Sequence, residues 1–200
     1  MPAERVRKAV APVLVIGLLL SGAVGLRSFL AARSSQVIGG PYALMDTQGR
    51  DVTQSAFHGR YTLIYFGYTH CIDVCPLTLA TVSQALDMLG PKAHRVVPIF
   101  ISVDPSRDTP DVVGDYVRHF SPDIVGLTGS VTQIHTVIEE FHVMARRRAT
   151  IADHMSDDYL MDHSSVLYLM DGENRLVSVL PVDSSPQEIA GRLRRLLPAS

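Results

Sequence analysis

The chain has no surplus of positive charge, no internal repeat, no low-complexity tract and only two cysteines, and each shortage closes off a class of answer. Its 18 lysines and arginines are outnumbered by 20 aspartates and glutamates, and past residue 33 the balance is 13 basic to 19 acidic. A nucleic-acid binder needs a basic face against phosphate, so nucleic acid is not expected as a partner. With 200 residues, 46% of them hydrophobic, there is material for one ordinary domain and a short appendage, and too little for two large domains. One core is expected.

Long uncharged runs are also scarce, which makes the single instance informative. Arg5, Arg7 and Lys8 precede an uncharged stretch from Ala9 to Leu26. A basic flank followed by an apolar segment targets a membrane, and the basic end stays inside the cell. At about 1.5 Å per residue the segment only just reaches the roughly 20 residues that a bilayer core requires. It fits both a retained anchor, which we favour, and a signal peptide cut after Ala23. No cysteine lies near residue 23 to take a lipid, and Arg5 and Arg7 are not adjacent, so lipoprotein and twin-arginine readings lack support. The expected organisation is a cytoplasmic basic tail (1–8), a transmembrane anchor or uncleaved signal (9–26), a linker (27–41) and an exported domain (42–200). That domain would lie on the periplasmic or extracytoplasmic side of the inner membrane.

Both cysteines, Cys71 and Cys75, fall in one stretch, YTLIYFGYTHCIDVCPLTLATVSQALDML. Tyr61–Phe66 reads as a buried strand ending at Gly67, where backbone can turn tightly. Pro76 is expected to open a helix carrying Leu79, Val82, Leu86 and Leu89 on one face and ending at Gly90. The thiols therefore sit where a strand hands over to a helix N-terminus, whose unpaired N–H groups and dipole favour thiolate.

Elsewhere, Tyr42–Met45 and Asp51–Phe57 suggest a small hairpin. The run from Val96 suggests a second buried strand, which Pro98 would confine to Ile99–Val103. Thr109 with Pro110, Ser130, and Ser185 with Pro186 and Glu188 read as three helix starts, the last a capping box. Gly126–Gly129 punctuates a short segment, and Val143–Arg148 reads as extended. Residues 149–162 form a polar, acidic loop expected to settle when metal binds. His163 is expected to begin a strand of the main sheet, and Val166–Met170 and Leu176–Leu180 make a hairpin. This is an α/β pattern: a thioredoxin-like central sheet flanked by helices.

Two thiolates at this spacing can exchange disulfides or bind a soft metal. An ordinary structural disulfide is the weaker reading, because a bridge closing so short a loop restrains little of the unfolded chain. A metal would need a third ligand, and there are eight histidines to choose from. His70 neighbours Cys71 but points to the opposite side of an extended stretch. His58, His94, His119, His135 and His142 lie in loops or helices with nothing to single them out. His163 follows a loop that can bring it over the thiols, with His154 a weaker competitor. Two sulfurs and an imidazole suit copper, as Cu(I) or Cu(II); a structural zinc would want a fourth protein ligand.

The motifs FGYTHCIDVCP (Phe66–Pro76), ISVDPSRDTP (Ile101–Pro110) and DYLMDHSS (Asp158–Ser165) resemble those of the Sco/SenC proteins, in the family's order and at similar separations. The likeness runs from about Val37 onward. It implies a membrane-anchored assembly factor for cytochrome c oxidase with a thioredoxin-like fold. In it Cys71, Cys75 and His163 would hold one copper ion for the CuA centre of an oxidase subunit. A copper donor protein and a thiol reductant would be further partners. No catalytic residue is expected for such a metallochaperone. In the alternative, a membrane-tethered oxidoreductase keeping the oxidase cysteines reduced, Cys71 and Cys75 are the redox-active thiols. The chain departs from the family pattern at Ile72, where proline is usual, and at Leu77, where an acidic residue is common. Thioredoxins resemble one another in a proline opposite the dithiol, whereas here no proline occurs between Pro122 and Pro181 and His163 takes that approximate place. Asp104, Arg107 and Asp108 are expected to serve the loop and cap the next helix. Asp162 is expected to orient the His163 ring, and Arg146–Arg148 to be a solvated strand edge.

Overall fold

The computed structural model describes residues 37–148 and 159–198. The expected basic tail, apolar segment and most of the linker lie outside the described residues, as do His154 and most of the acidic loop. Among the described residues no helix is long and apolar enough to cross a membrane.

Among the described residues, strands β1 (Ala43–Asp46), β2 (Asp51–Thr53), β3 (Tyr61–Gly67), β4 (Val96–Ser102), β5 (Val125–Thr128), β6 (Ala145–Arg147), β7 (Met161–His163), β8 (Val166–Met170) and β9 (Leu176–Pro181) are interspersed with four α-helices. These are α1 (Val74–Leu89), α2 (Pro110–Arg118), α3 (Val131–Glu140) and α4 (Pro186–Leu196). Seven strands form one mixed sheet in the order β2-β1-β5-β4-β3-β8-β9. β3, β4 and β5 run parallel, and β8 lies antiparallel to β3 on its other side. This is the expected helix-flanked sheet. β6 and β7 form a separate two-stranded ribbon.

β3 sits inside the sheet, and every residue from Thr62 to Gly67 is buried. A strand covered on both faces reads as a continuous apolar run, and that is what YTLIYFG shows. α1 packs Leu79, Val82, Leu86 and Leu89 into the core. Each such side chain contributes about 1.5–3 kcal/mol relative to leaving it in water. α1 begins at Val74, two residues before the expected start, so Pro76 lies in its first turn, where its missing N–H still costs no helical bond.

The other helix starts fall where expected. Thr109 accepts a bond from the Val112 N–H, and Ser130 with Gln133 and Ser185 with Glu188 form capping boxes. Pro98 does not delay its strand. β4 starts at Val96, and Pro98 pairs with Leu63 on the β3 side, while β5 joins only from Ile99, so the missing donor is tolerated. The segment read only as glycine-punctuated contains β5. Gly126 is needed there for space, since a Cβ would come within 2.7 Å of Val113 on α2.

Candidate metal centre

The site grows from the end of β3. Gly67 was expected to permit a tight turn, yet among the described residues it is not one of the glycines with positive φ. It is glycine for room: a Cβ there would meet Phe100 at 2.8 Å and Cys75 Sγ at 2.9 Å. The chain then turns through Tyr68, whose carbonyl accepts from the Cys71 N–H at 3.2 Å. α1 follows, with Cys75 fully buried in its first turn. Cys71 is half-buried, and both are free thiols. The Cys75 backbone N–H donates to Cys71 Sγ at 3.4 Å, as a helix N-terminus does toward an anion.

The two sulfurs titrate apart. A hydrogen bond from the Cys75 thiol is the largest influence on Cys71. Smaller support comes from the backbone N–H groups of Asp73 and Cys75, and the pKa is brought down to about 3. Cys75 is pushed upward, first by giving that bond to the Cys71 thiolate and then by burial. One thiolate and one thiol are the resting pair. The hydroxyl of Tyr65, itself buried in β3, donates to Cys75 Sγ at 3.4 Å.

His163 reaches the thiols from across the fold. Its Nε2 lies 3.5 Å from Cys75 Sγ, and the ligand atoms of Cys71, Cys75 and His163 all fall within 4.8 Å of one another. Donors each bound at about 2.0–2.3 Å to one ion must be within roughly 4.5 Å of each other, so this spacing is close to that of a loaded site. Nδ1–H donates to the Ser164 carbonyl at 3.1 Å, the tautomer that leaves the Nε2 lone pair facing the sulfurs. The imidazole stands edge-on to Tyr65 and Tyr68, with ring centroids 6.1 and 5.8 Å away. Among the described residues no carboxylate joins this cluster. Two sulfurs, one nitrogen and aromatic walls fit a soft metal and suit neither calcium nor magnesium. A cavity of about 650 Å³ opens above Cys71 and His163, bordered by Ile72, Val74, Met144 and Leu160.

Several expectations are corrected here. His163 does not begin a strand of the main sheet; it ends β7 in the separate ribbon, paired with Ala145. Asp162 does not orient its ring. Neighbouring strand residues face opposite ways, and the Asp162 carboxylate instead accepts from the Arg148 guanidinium at 2.6 Å and pairs with Arg146 at 3.5 Å. The basic run is the exposed strand edge expected, and it is paired as well, with Arg147 lying 3.9 Å over the Tyr159 ring. Asp108 is not the cap of the next helix, a position held by Thr109. Its buried carboxylate accepts from the Thr69 N–H at 2.9 Å, the Thr69 hydroxyl at 2.6 Å and the Ser102 hydroxyl at 2.5 Å. Sequence reading missed Tyr65, Thr69 and Tyr159. Nothing local marks them, because their partners lie 10, 39 and 55 residues away.

The sequence signature of the SCO1/SenC family matches residues 31–198. The chain is 41% identical over 162 residues to Protein sco1 of Schizosaccharomyces pombe, covering 80% of this chain and 61% of that protein. It is 38% identical over 152 residues to an SCO2-like protein of Rickettsia felis, covering 76% and 73%. Among solved structures, Bradyrhizobium japonicum ScoI with copper bound superposes with a TM-score of 0.72 at 44% identity, over 80% of this chain and 99% of that one. With a family signature over most of its length, relatives at these identities and the same fold, the chain belongs to the SCO1/SenC family.

Proposed function

We propose that this protein is a copper metallochaperone that binds one copper ion through Cys71, Cys75 and His163 and passes it to the CuA centre of a cytochrome c oxidase subunit during assembly. The observation that carries the reading is the convergence of two sulfurs and a correctly presented imidazole nitrogen with no carboxylate among them. The copper-bound ScoI at 44% identity supports the choice of ion. Cys71 is ready as a thiolate, Cys75 loses its proton on metallation, and His163 adds the nitrogen that lets the same site hold Cu(II) as well as Cu(I). Partner thiolates entering the open cavity would take the ion by ligand exchange, and a copper donor would load it along the same path. Residues 9–26 tether the domain to the inner membrane, facing the periplasm or its equivalent, where a thiol reductant keeps the pair reduced.

One observation favours a second reading. A low-pKa, half-buried Cys71 beside a protonated partner thiol is also the arrangement of a thiol–disulfide oxidoreductase acting on the oxidase cysteines. Anaerobic copper titration of the reduced full chain in mild detergent, with ligation read by X-ray absorption, separates the two. One copper with two sulfurs and one nitrogen is expected. In His163→Ala the nitrogen disappears, Cu(II) binding is lost and Cu(I) stays on the two thiolates with lower affinity. Absence of stoichiometric copper, together with ready cycling of a Cys71–Cys75 disulfide, would favour the oxidoreductase.

A further inference from the structure

The three side chains of the candidate metal centre arrive on two different supports, joined directly only where β7 runs through Ser164 and Ser165 into β8 of the main sheet. Cys71 and Cys75 come from the junction of β3 and α1, in the main sheet, whereas His163 comes from the β6–β7 ribbon outside it. A two-stranded ribbon is marginally stable by itself, so something must hold it at a fixed distance from the thiols. The loop that follows β4, Val103–Thr109, touches both supports.

At its far end, Asp108 is 1% exposed and its carboxylate takes three bonds, two of them from Thr69. Thr69 is two residues before Cys71, so this contact fixes the thiol-bearing turn. At its near end, Asp104 is 3% exposed and accepts the Tyr159 hydroxyl at 2.6 Å and Arg107 Nε at 2.6 Å. The Arg107 guanidinium lies 3.5 Å over the Tyr159 ring, and Arg147 of β6 approaches the same ring at 3.9 Å. Tyr159 is 8% exposed and stands two residues before β7. It is thereby bound to the loop by its hydroxyl and to β6 through Arg147. The loop is braced on itself as well: the Asp104 N–H donates to Ser102 Oγ, and the Arg107 and Asp108 N–H groups donate to the Asp104 carbonyl.

We propose that this loop is a two-ended clamp that sets the separation between the thiols and the imidazole. Tyr159, through Asp104, is the positioning residue for His163, and Thr69, through Asp108, is the positioning residue for Cys71. The assignment of roles rests on the copper reading above; the clamp itself is a property of the metal-free protein. Buried carboxylates accepting several bonds are stiff connectors, because releasing any donor leaves a charge poorly solvated. Ordering the ribbon in advance removes an entropic cost that metal binding would otherwise bear.

The test is a pair of double-mutant cycles on the full chain in mild detergent, reading Cu(I) affinity by competition with a chromophoric chelator. Hydrogen exchange at Ala145–Arg147 and Met161–His163 is measured in the metal-free protein alongside. Tyr159→Phe keeps the ring between its two guanidiniums and removes only the hydroxyl. It is expected to lower affinity about 10-fold, the lower end for groups that orient metal ligands, and to speed ribbon exchange. In a His163→Ala background it should cost nothing further, since a purely structural contribution would persist there. Thr69→Val should lower affinity on both backgrounds and leave ribbon exchange unchanged. Equal losses for Tyr159→Phe with and without His163, or no change in ribbon exchange, overturn the clamp. If the wild type binds no copper, the functional reading falls, and the exchange measurement alone decides the clamp.

Discussion

The two supports of the candidate metal centre differ in how their rigidity is obtained. The β3–α1 junction is held by the core: β3 is hydrogen-bonded on both sides, Cys75 has no exposed surface, and Leu79 and Val82 anchor the helix behind it. The β6–β7 ribbon has only three paired positions, and His163 is half-buried. Ala145 and Met161 lean on the core, but the rest of its order comes from backbone pairing, side-chain bonds and ring contacts. Packing into a core gives a donor atom one position through many weak contacts, whereas a few polar links can be loosened one at a time. The thiols are thus the fixed part of the site and the imidazole the adjustable part.

The largest effect is expected from disturbing the fixed side. Gly67→Ala puts a methyl group against Phe100 and Cys75 Sγ, an overpacking that should cost about 1–3 kcal/mol and displace the sulfur. Chemical denaturation should show the destabilisation, and X-ray absorption of the copper-loaded variant should show a changed sulfur shell. A variant with wild-type stability and ligation would mean that the junction is as adjustable as the ribbon.

A change confined to the thiols themselves is expected in the titration of Cys71. With its pKa near 3, alkylation by iodoacetamide should go to Cys71 even at pH 5, while Cys75 stays a protected thiol. Cys75→Ala removes the strongest donor and should move the Cys71 inflection up toward the ordinary thiol range near 8.5. Mass spectrometry of the labelled peptides across pH provides the check. The sign for stability follows: the folded value is below the unfolded one, so the thiolate's contribution is complete above the unfolded pKa and is lost as pH falls through about 3. The smallest effect belongs to the ribbon's outer face. Asp162→Asn loosens the pairs with Arg146 and Arg148 but touches neither His163 nitrogen, so copper affinity should be unchanged in the chelator competition.

What could be read in the sequence divides along the same line. Helix caps at Thr109, Ser130 and Ser185, the buried face of α1 and the pair of thiols are written in residues within a few positions of each other, and local chemistry decides them. His163 could be selected, by elimination and by the DYLMDHSS motif, but not its support. Whether MDH joins the main sheet or pairs with Ala145–Arg147 depends on a partner strand far away in the chain. Gly126 and Pro98 misled for a related reason. Their fitness depends on Val113 above one and on the late start of β5 beside the other. The roles of Asp104 and Asp108 were assigned to their own loop because a carboxylate in a turn has nearby N–H groups to satisfy it. Asp104 does serve its own loop, through Arg107, but its carboxylate also takes the Tyr159 hydroxyl, and that of Asp108 goes to Thr69 and Ser102.

The separation of 88 positions from Cys75 to His163 also sets an order of events. Synthesis proceeds from the N-terminus, so both thiols exist before the imidazole does. Closing so long a separation comes late compared with forming a local strand and helix. Any metal met in that interval is held by sulfur alone, without the nitrogen that completes the donor set. If the site holds copper as proposed, discrimination by the nitrogen is acquired only when folding is nearly finished, and free soft metal met earlier would compete with completion of the site.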